Sequence, residues 1–297
     1  MKKEIRLEGV IPAMLTPFTE NEEIDVGGIK ENVDFLIENG VNGIMCNGST
    51  GEAVALTKKE RIKVIETTVE ATEGRVKVIA GTGVPATNET IRLTRDAKSA
   101  GADAVMIITP FYEIPTQEGL YKHYETIAEA VDIPIVMYNI PQHTGVEIGL
   151  DALKRLVEID NIVALKDSSG NLSQFAEIIR LVGDKISVLT GCDDLLLSSF
   201  VLGCPGAILA LCNIAPRLVV DLYRTVKDEK MKKARELNYK LLSIARAISA
   251  PENFPAPVKE AVGILGRPAG PTRGPIVKAS EKERGEIKAA LKEAELI

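Results

Sequence analysis

Eight short apolar runs recur along the first 211 residues of the chain. Each is rich in Val, Ile, Leu, Met or Ala, and polar residues alternate little with them. That pattern is typical of strands buried on both faces, as in a parallel sheet. The runs are Gly9–Phe18, Gly43–Asn47, Val76–Gly81, Ala104–Pro110, Ile133–Asn139, Ile162–Asp167, Ile186–Gly191 and Gly206–Leu211.

Segments with helical periodicity separate these runs. Strands that alternate with helices predict a parallel sheet with right-handed crossovers, and eight such units close most simply into a (β/α)8 barrel. An open doubly wound sheet is the alternative, but the first run is not followed by the glycine fingerprint that such a sheet favours. The clearest helical segments are Val26–Asn39, Lys58–Thr72, Asn88–Ala100 and Gln117–Ala130.

The last part of the chain reads as helices alone. We therefore expect residues 1–214 to form the barrel core and residues 215–297 to form a helical extension packed on it. The uncharged stretch from Leu195 to Pro216 is interrupted by Gly203, Pro205 and Gly206. It favours a buried helix, a turn and a buried strand over a membrane span, which needs about 20 mostly apolar residues.

Composition narrows the function further. The chain has 36 Lys and Arg against 42 Asp and Glu, a net charge of −6, whereas nucleic-acid binding needs a basic face. Two His and four Cys without a CxxC pair disfavour a metal site. The N-terminus lacks the apolar segment of a signal peptide, so we expect a cytoplasmic protein with free thiols and no nucleic-acid or membrane partner.

Lys166 is the most informative polar residue, because it lies near the end of the sixth apolar run. Catalytic residues of a barrel gather at the carboxyl ends of its strands. Burial there disfavours the charged ammonium form, and a neutral amine can attack a ketone to form a Schiff base. The alternative is a lysine that pairs with Asp167 or reaches water, and position alone does not choose between them.

Three further strand ends carry hydroxyl groups. Ser49 and Thr50 lie between two glycines after the second run, where hydroxyl and backbone N–H groups suit a carboxylate or phosphate. Tyr138 lies one residue before the end of the fifth run and Tyr112 follows the fourth, so with Thr50 they could form a proton relay. An ordinary βα turn, a loop tyrosine and a core tyrosine are the alternatives.

Together these residues resemble the dihydrodipicolinate synthase and N-acetylneuraminate lyase superfamily of class I Schiff-base aldolases. The match is collinear over nearly the whole chain. Its motifs are Gly48-Ser49-Thr50-Gly51-Glu52, Thr109-Pro110-Phe111-Tyr112, Tyr138-Asn139-Ile140-Pro141 with Thr144-Gly145, Leu165-Lys166-Asp167 and the tail from Pro257 to Pro275.

The resemblance implies a barrel with a C-terminal helical extension and a reaction without metal or cofactor. Lys166 would form a Schiff base with pyruvate or another 2-keto acid, and Tyr138 would move protons at the reacting carbonyl. Ser49, Thr50 and the backbone of Ile208 would hold the keto acid. Tyr112 would complete the relay from a neighbouring subunit, because the relatives are usually homotetramers built as dimers of dimers.

His143 departs from this pattern. The synthases carry an arginine at that position for the carboxylate of aspartate semialdehyde, and histidine offers neither a permanent charge nor a bidentate fork. Aldolases of 2-keto-3-deoxy sugar acids need no such arginine. The sequence therefore favours a pyruvate-dependent carbon–carbon lyase or aldolase, slightly toward the sugar-acid branch, with His143 facing the second substrate. The alternative is 4-hydroxy-tetrahydrodipicolinate synthase, which joins pyruvate to aspartate semialdehyde.

Overall fold

Eight parallel strands form the centre of the protein. A computed structural model describes residues 6–249 and 252–297. The predicted (β/α)8 barrel is confirmed, and each apolar run contains one strand. The strands are β1 Gly9–Pro12, β2 Gly43–Cys46, β3 Lys77–Gly81, β4 Ala104–Ile108, β5 Ile135–Asn139, β6 Ile162–Asp167, β7 Ser187–Thr190 and β8 Gly206–Leu209.

The strands follow one another around the barrel, in the order β1-β8-β7-β6-β5-β4-β3-β2. β1 and β2 complete the circle through a parallel bridge between Ala13 and Met45 and a 2.8 Å hydrogen bond from Met14 N to Met45 O. The first apolar run extends well beyond β1, because its last residues leave the strand ladder. Leu15 N donates to Asn213 Oδ1 there, and Phe18 N donates to Ala269 O.

Helices cover the outside of the barrel. Their apolar faces and the outward side of the strands form one large buried cluster, and a smaller cluster fills the barrel interior. Within the described ranges the helices are α1 Val26–Glu38, α2 Lys58–Thr72, α3 Thr87–Ser99, α4 Gln117–Ala130, α5 Pro141–Thr144, α6 Leu150–Leu156, α7 Leu172–Val182, α8 Leu196–Val201, α9 Pro216–Lys227, α10 Met231–Ile248, α11 Ala256–Ile264 and α12 Glu281–Glu293.

The start of α2 illustrates how the sequence sets these elements. The Thr57 hydroxyl accepts from Glu60 N, while the Glu60 carboxylate accepts from Thr57 N. This reciprocal pair satisfies two backbone donors that a helix start leaves free. One 3-10 turn, Ala53–Ala55, separates this helix from the loop that carries Ser49 and Thr50.

The C-terminal helices pack against the barrel and against each other. α9 contacts β1 and α10, so it covers the barrel wall and also supports the added layer. α10 packs on α12, and α11 packs on both. The division at residue 214 stays a prediction, since α9 belongs to both packing arrangements. No helix in the described ranges is long and apolar enough to cross a membrane.

Candidate active site

Lys166 and Tyr138 are neighbours on adjacent strands. The register of β5 and β6 pairs the two residues directly. The Nζ atom of Lys166 lies 4.2 Å from the centroid of the Tyr138 ring, and both side chains are buried. The barrel therefore holds a lysine amine and a tyrosine side by side at the carboxyl end of the sheet.

Asp167 does not pair with the Lys166 amine. Its carboxylate accepts hydrogen bonds from Asn139 Nδ2 at 2.7 Å and from the Ser169 hydroxyl at 2.7 Å. Successive residues of a strand point to opposite sides of the sheet, which separates the two side chains. Lys166 forms no ion pair among the residues that the structure describes, so the Asp167-paired alternative does not describe this lysine.

Gly191 leaves the room that the lysine stem occupies. A Cβ atom at this position would lie 2.5 Å from Lys166 Cε and 2.1 Å from Ser168 Oγ. Both distances are far below van der Waals contact. A glycine after β7 is therefore a condition for the observed position of Lys166.

The loop with Ser49 and Thr50 is fixed from both sides. The Thr16 hydroxyl donates to Gly51 O at 2.7 Å. On the other side Glu52 has a left-handed backbone, with φ at 53°, and its carboxylate pairs with Lys259 at 2.6 Å. The turn that is expected to bind a carboxylate is thus held by the barrel and by the C-terminal extension together.

One cavity of about 640 Å³ opens over these strand ends. Five of the predicted site residues line it together, namely Ser49, Thr50, Tyr138, His143 and Lys166. Thr50 is buried and Ser49 is exposed. No hydrogen bond joins the Thr50 hydroxyl to Tyr138 within the described part of the chain, so the proton relay stays a prediction.

Two predicted residues do not line this cavity. Ile208 lies deeper in the barrel interior, in register with Ile11, and Ala210 lines the cavity after the end of β8. The Tyr112 side chain is 90% exposed, on a left-handed backbone with φ at 74°. Its neighbour Phe111 lines the cavity instead. A role for Tyr112 therefore depends on a second subunit.

His143 is positioned by a short helix. α5 begins at Pro141, whose ring suits the first position of a helix. The Gln142 side chain donates to Ser168 O at 2.6 Å, which ties α5 to the end of β6. His143 is exposed and lines the cavity beside these groups, so it can contact a second substrate.

Acidic and thiol groups also line the cavity after β7. Burial raises the pKa of Asp193 to about 6, although the Leu211 N–H and the positive charge of Lys166 act in the opposite direction. Burial raises the pKa of the Cys192 thiol to about 12. A thiol in that state is a poor nucleophile, so Lys166 is the better candidate for covalent chemistry.

Sequence reasoning missed the contribution of the C-terminal extension. Arg246, Glu252 and Arg273 line the cavity together with the barrel residues. They follow the strands by many residues in the sequence; Arg246 lies in α10, and Glu252 and Arg273 lie in the connections between helices. Nothing in a local pattern shows that the extension folds back over the strand ends.

Comparison with known proteins adds to this geometry. The profile of the Dihydrodipicolinate synthetase family matches residues 6–294. The chain belongs to this family. A 4-hydroxy-tetrahydrodipicolinate synthase of Methanocaldococcus jannaschii is 44% identical over 98% of this chain and 99% of its own.

Solved structures of the family superimpose closely. A dihydrodipicolinate synthase from Aquifex aeolicus is 40% identical, with a TM-score of 0.93 over 98% of this chain and 99% of that chain. A chloride-inhibited dihydrodipicolinate synthase from Acinetobacter baumannii, complexed with pyruvate, is 36% identical. Its TM-score is 0.94, and the match covers 98% of this chain and 99% of that chain.

Membership establishes the class of reaction. The protein is an enzyme, a carbon–carbon lyase or aldolase of the family that forms a lysine Schiff base with pyruvate. The sequence favoured a sugar-acid aldolase because of His143. The names of the relatives favour the synthase instead. Those names do not assign roles to individual residues of this chain.

Proposed function

We propose that this enzyme is a 4-hydroxy-tetrahydrodipicolinate synthase, which joins pyruvate to aspartate semialdehyde. The observation that carries the proposal is the buried Lys166 amine over the Tyr138 ring, in a cavity shared with Ser49 and Thr50. The full-length similarity to synthases supports the choice of second substrate.

The residues of the cavity suggest how the first substrate reacts. Ser49 and Thr50 hold the pyruvate carboxylate. The Lys166 amine attacks the keto carbon after it gives up a proton, and water leaves. The resulting iminium withdraws electrons, so the methyl group loses a proton and an enamine forms. Tyr138 lies within reach of Lys166 to exchange these protons as a general acid and base.

The second half of the reaction forms the new carbon–carbon bond. The enamine carbon attacks the aldehyde carbon, and the aldehyde oxygen takes up a proton. The iminium then returns to the carbonyl level when water or the substrate's own amino group displaces Lys166. Cleavage of a hydroxylated keto acid follows the same steps in reverse.

We propose that the active form is a homotetramer, with Tyr112 of one subunit completing the site of another. Its exposed side chain supports this role, together with the nearby Ile114, which is 68% exposed. The free cysteines support a cytoplasmic location. Light scattering coupled to gel filtration measures the assembly, and a monomer with full activity contradicts this part of the proposal.

A borohydride trap tests the Schiff base. The protein is incubated with pyruvate, reduced, digested and analysed by mass spectrometry. We expect an adduct on the peptide with Lys166, absent from K166A and unchanged in K30A, which removes an exposed lysine. A K166A variant as active as the parent would contradict the mechanism.

A sugar-acid aldolase is the second candidate, favoured by His143 and by the carboxylates of Asp193 and Asp194 in the cavity. Carboxylates accept hydrogen bonds from substrate hydroxyls. Rates of condensation with aspartate semialdehyde and of cleavage of 2-keto-3-deoxygluconate separate the two. Faster cleavage of the sugar acid contradicts the synthase proposal.

A further inference from the structure

Besides His143, four side chains that can carry a positive charge line the cavity. They are Arg61, Lys166, Arg246 and Arg273. Three of them are engaged. Lys166 is the candidate nucleophile. Arg273 binds Glu60 and the Ala55 carbonyl oxygen, and Arg61 points its Nε toward Leu56 O at 3.5 Å.

Arg246 is different because no residue that the structure describes binds its guanidinium. It lies in the last turn of α10 and lines the cavity with an exposed side chain. Across residues 6–249 and 252–297, no hydrogen bond or ion pair occupies its side chain. Its five N–H donors are therefore available to a ligand.

The acidic groups of the cavity disfavour an anionic ligand unless a cation offsets them. Asp193, Asp194 and Glu252 line the same space, and carboxylates repel a substrate carboxylate. Glu52 is neutralised by its pair with Lys259. His143 carries no permanent charge. Arg246 is thus the one arginine among the described cavity residues whose guanidinium makes no hydrogen bond or ion pair, whereas Arg61 keeps its Nε contact with Leu56 O.

We propose that Arg246 determines the second substrate by binding its carboxylate. Arginine presents a planar fork that matches a carboxylate with two hydrogen bonds. The inference rests on the proposed function and deepens it. The barrel supplies Lys166 and the turn with Ser49 and Thr50. The C-terminal extension supplies Arg246, which selects an aldehyde that also carries a carboxylate.

Steady-state kinetics of Arg246→Ala and Arg246→Lys test the assignment. R246A removes the charge-assisted hydrogen bonds to the substrate carboxylate, so we expect kcat/KM for aspartate semialdehyde to fall roughly tenfold to a hundredfold. R246K keeps the charge and should lose less. The KM for pyruvate and the borohydride adduct on Lys166 are expected to stay at the parent values. Arg235→Ala is the matched control, since Arg235 is an exposed arginine of the same helix outside the cavity.

Propanal, which has no carboxylate, separates recognition from a general defect. We expect parent and R246A to use propanal equally, and R246A/H143R to recover part of the activity with aspartate semialdehyde. Equal activity of R246A and R235A with aspartate semialdehyde overturns the inference, as does an equal loss with propanal. A parent enzyme that forms the adduct but does not use aspartate semialdehyde contradicts the proposed function itself, and this inference with it.

Discussion

Lys259 and Glu52 form a buried ion pair that joins the C-terminal extension to the turn after β2. Lys259 Nζ lies 2.6 Å from Glu52 Oε1, with both side chains 3% exposed. Lys259 also donates to Pro271 O at 2.7 Å, and Glu52 Oε2 accepts from Arg273 N at 2.8 Å. Burial lowers the pKa of Lys259 to about 8, against the opposing effect of Glu52.

Removing one partner of this pair is expected to destabilise the protein strongly. In Lys259→Met the Glu52 carboxylate stays buried without its counter-ion, which typically costs about 3–5 kcal/mol. Thermal melts of K259M, E52Q and the double variant measure the coupling. Lys30→Met breaks an exposed pair with Glu70 and should cost less than about 1 kcal/mol. Equal losses in K259M and K30M would show that the buried pair is not important for stability.

Gly191→Ala is expected to impair Schiff-base formation without unfolding the barrel. The added Cβ would meet Lys166 Cε at 2.5 Å, so the lysine stem must move. Misplacement of a reacting group by about 1 Å can lower a rate by a hundredfold, and we expect adduct formation to slow roughly tenfold or more. The measurement is the rate of borohydride-trapped adduct.

Gly263→Ala is the matched control for that experiment. This glycine lies within α11, and nothing lies within 4 Å of the Cβ that would be added. Alanine favours a helix relative to glycine, so the variant should keep the parent rate. Unchanged adduct formation in G191A would contradict the steric argument.

His123 is expected to make the fold sensitive to acid. Burial lowers its pKa from 6.5 to about 4, because the charged ring is disfavoured in the apolar core. Between about pH 4 and pH 6.5, the histidine of the unfolded chain therefore binds a proton that the folded protein does not bind. This contribution to stability is fully present above pH 6.5 and is lost as the pH falls toward 4, on the order of 3 kcal/mol.

Chemical denaturation of His123→Gln between pH 7 and pH 4 measures this effect. We expect the variant to lose less unfolding free energy than the parent over that interval. His143→Gln changes the other, exposed histidine and serves as control. If H123Q and the parent lose stability in parallel, the buried ring does not account for the acid sensitivity.

Mixing inactive subunits tests the proposed role of Tyr112. K166A subunits keep Tyr112, and Y112F subunits keep Lys166. If Tyr112 acts across a two-fold interface, random mixing should restore about a quarter of the parent activity, since half of the pairs are mixed and each has one complete site. Mixing K166A with Y138F should restore none, because Lys166 and Tyr138 lie in the same barrel. Equal results for both mixtures would place Tyr112 outside the neighbouring site.

The sequence by itself determined the barrel and much of its chemistry. Buried parallel strands must be apolar on both faces, so each strand left a visible apolar run. Polar residues at the ends of such runs must meet at one edge of the sheet. The sequence therefore predicted that Lys166, Tyr138, Ser49 and Thr50 lie in one site. The family motifs supplied the reaction class for the same residues.

Only the tertiary structure decided how the rest of the cavity is built. The space that Gly191 leaves for Lys166 depends on the packing of β7 against β6, and no local pattern encodes it. Arg246 and Lys259 reach the strand ends because the C-terminal helices fold back over the barrel. Such contacts join residues far apart in the sequence, so periodicity shows a buried or exposed helix face without showing what it meets.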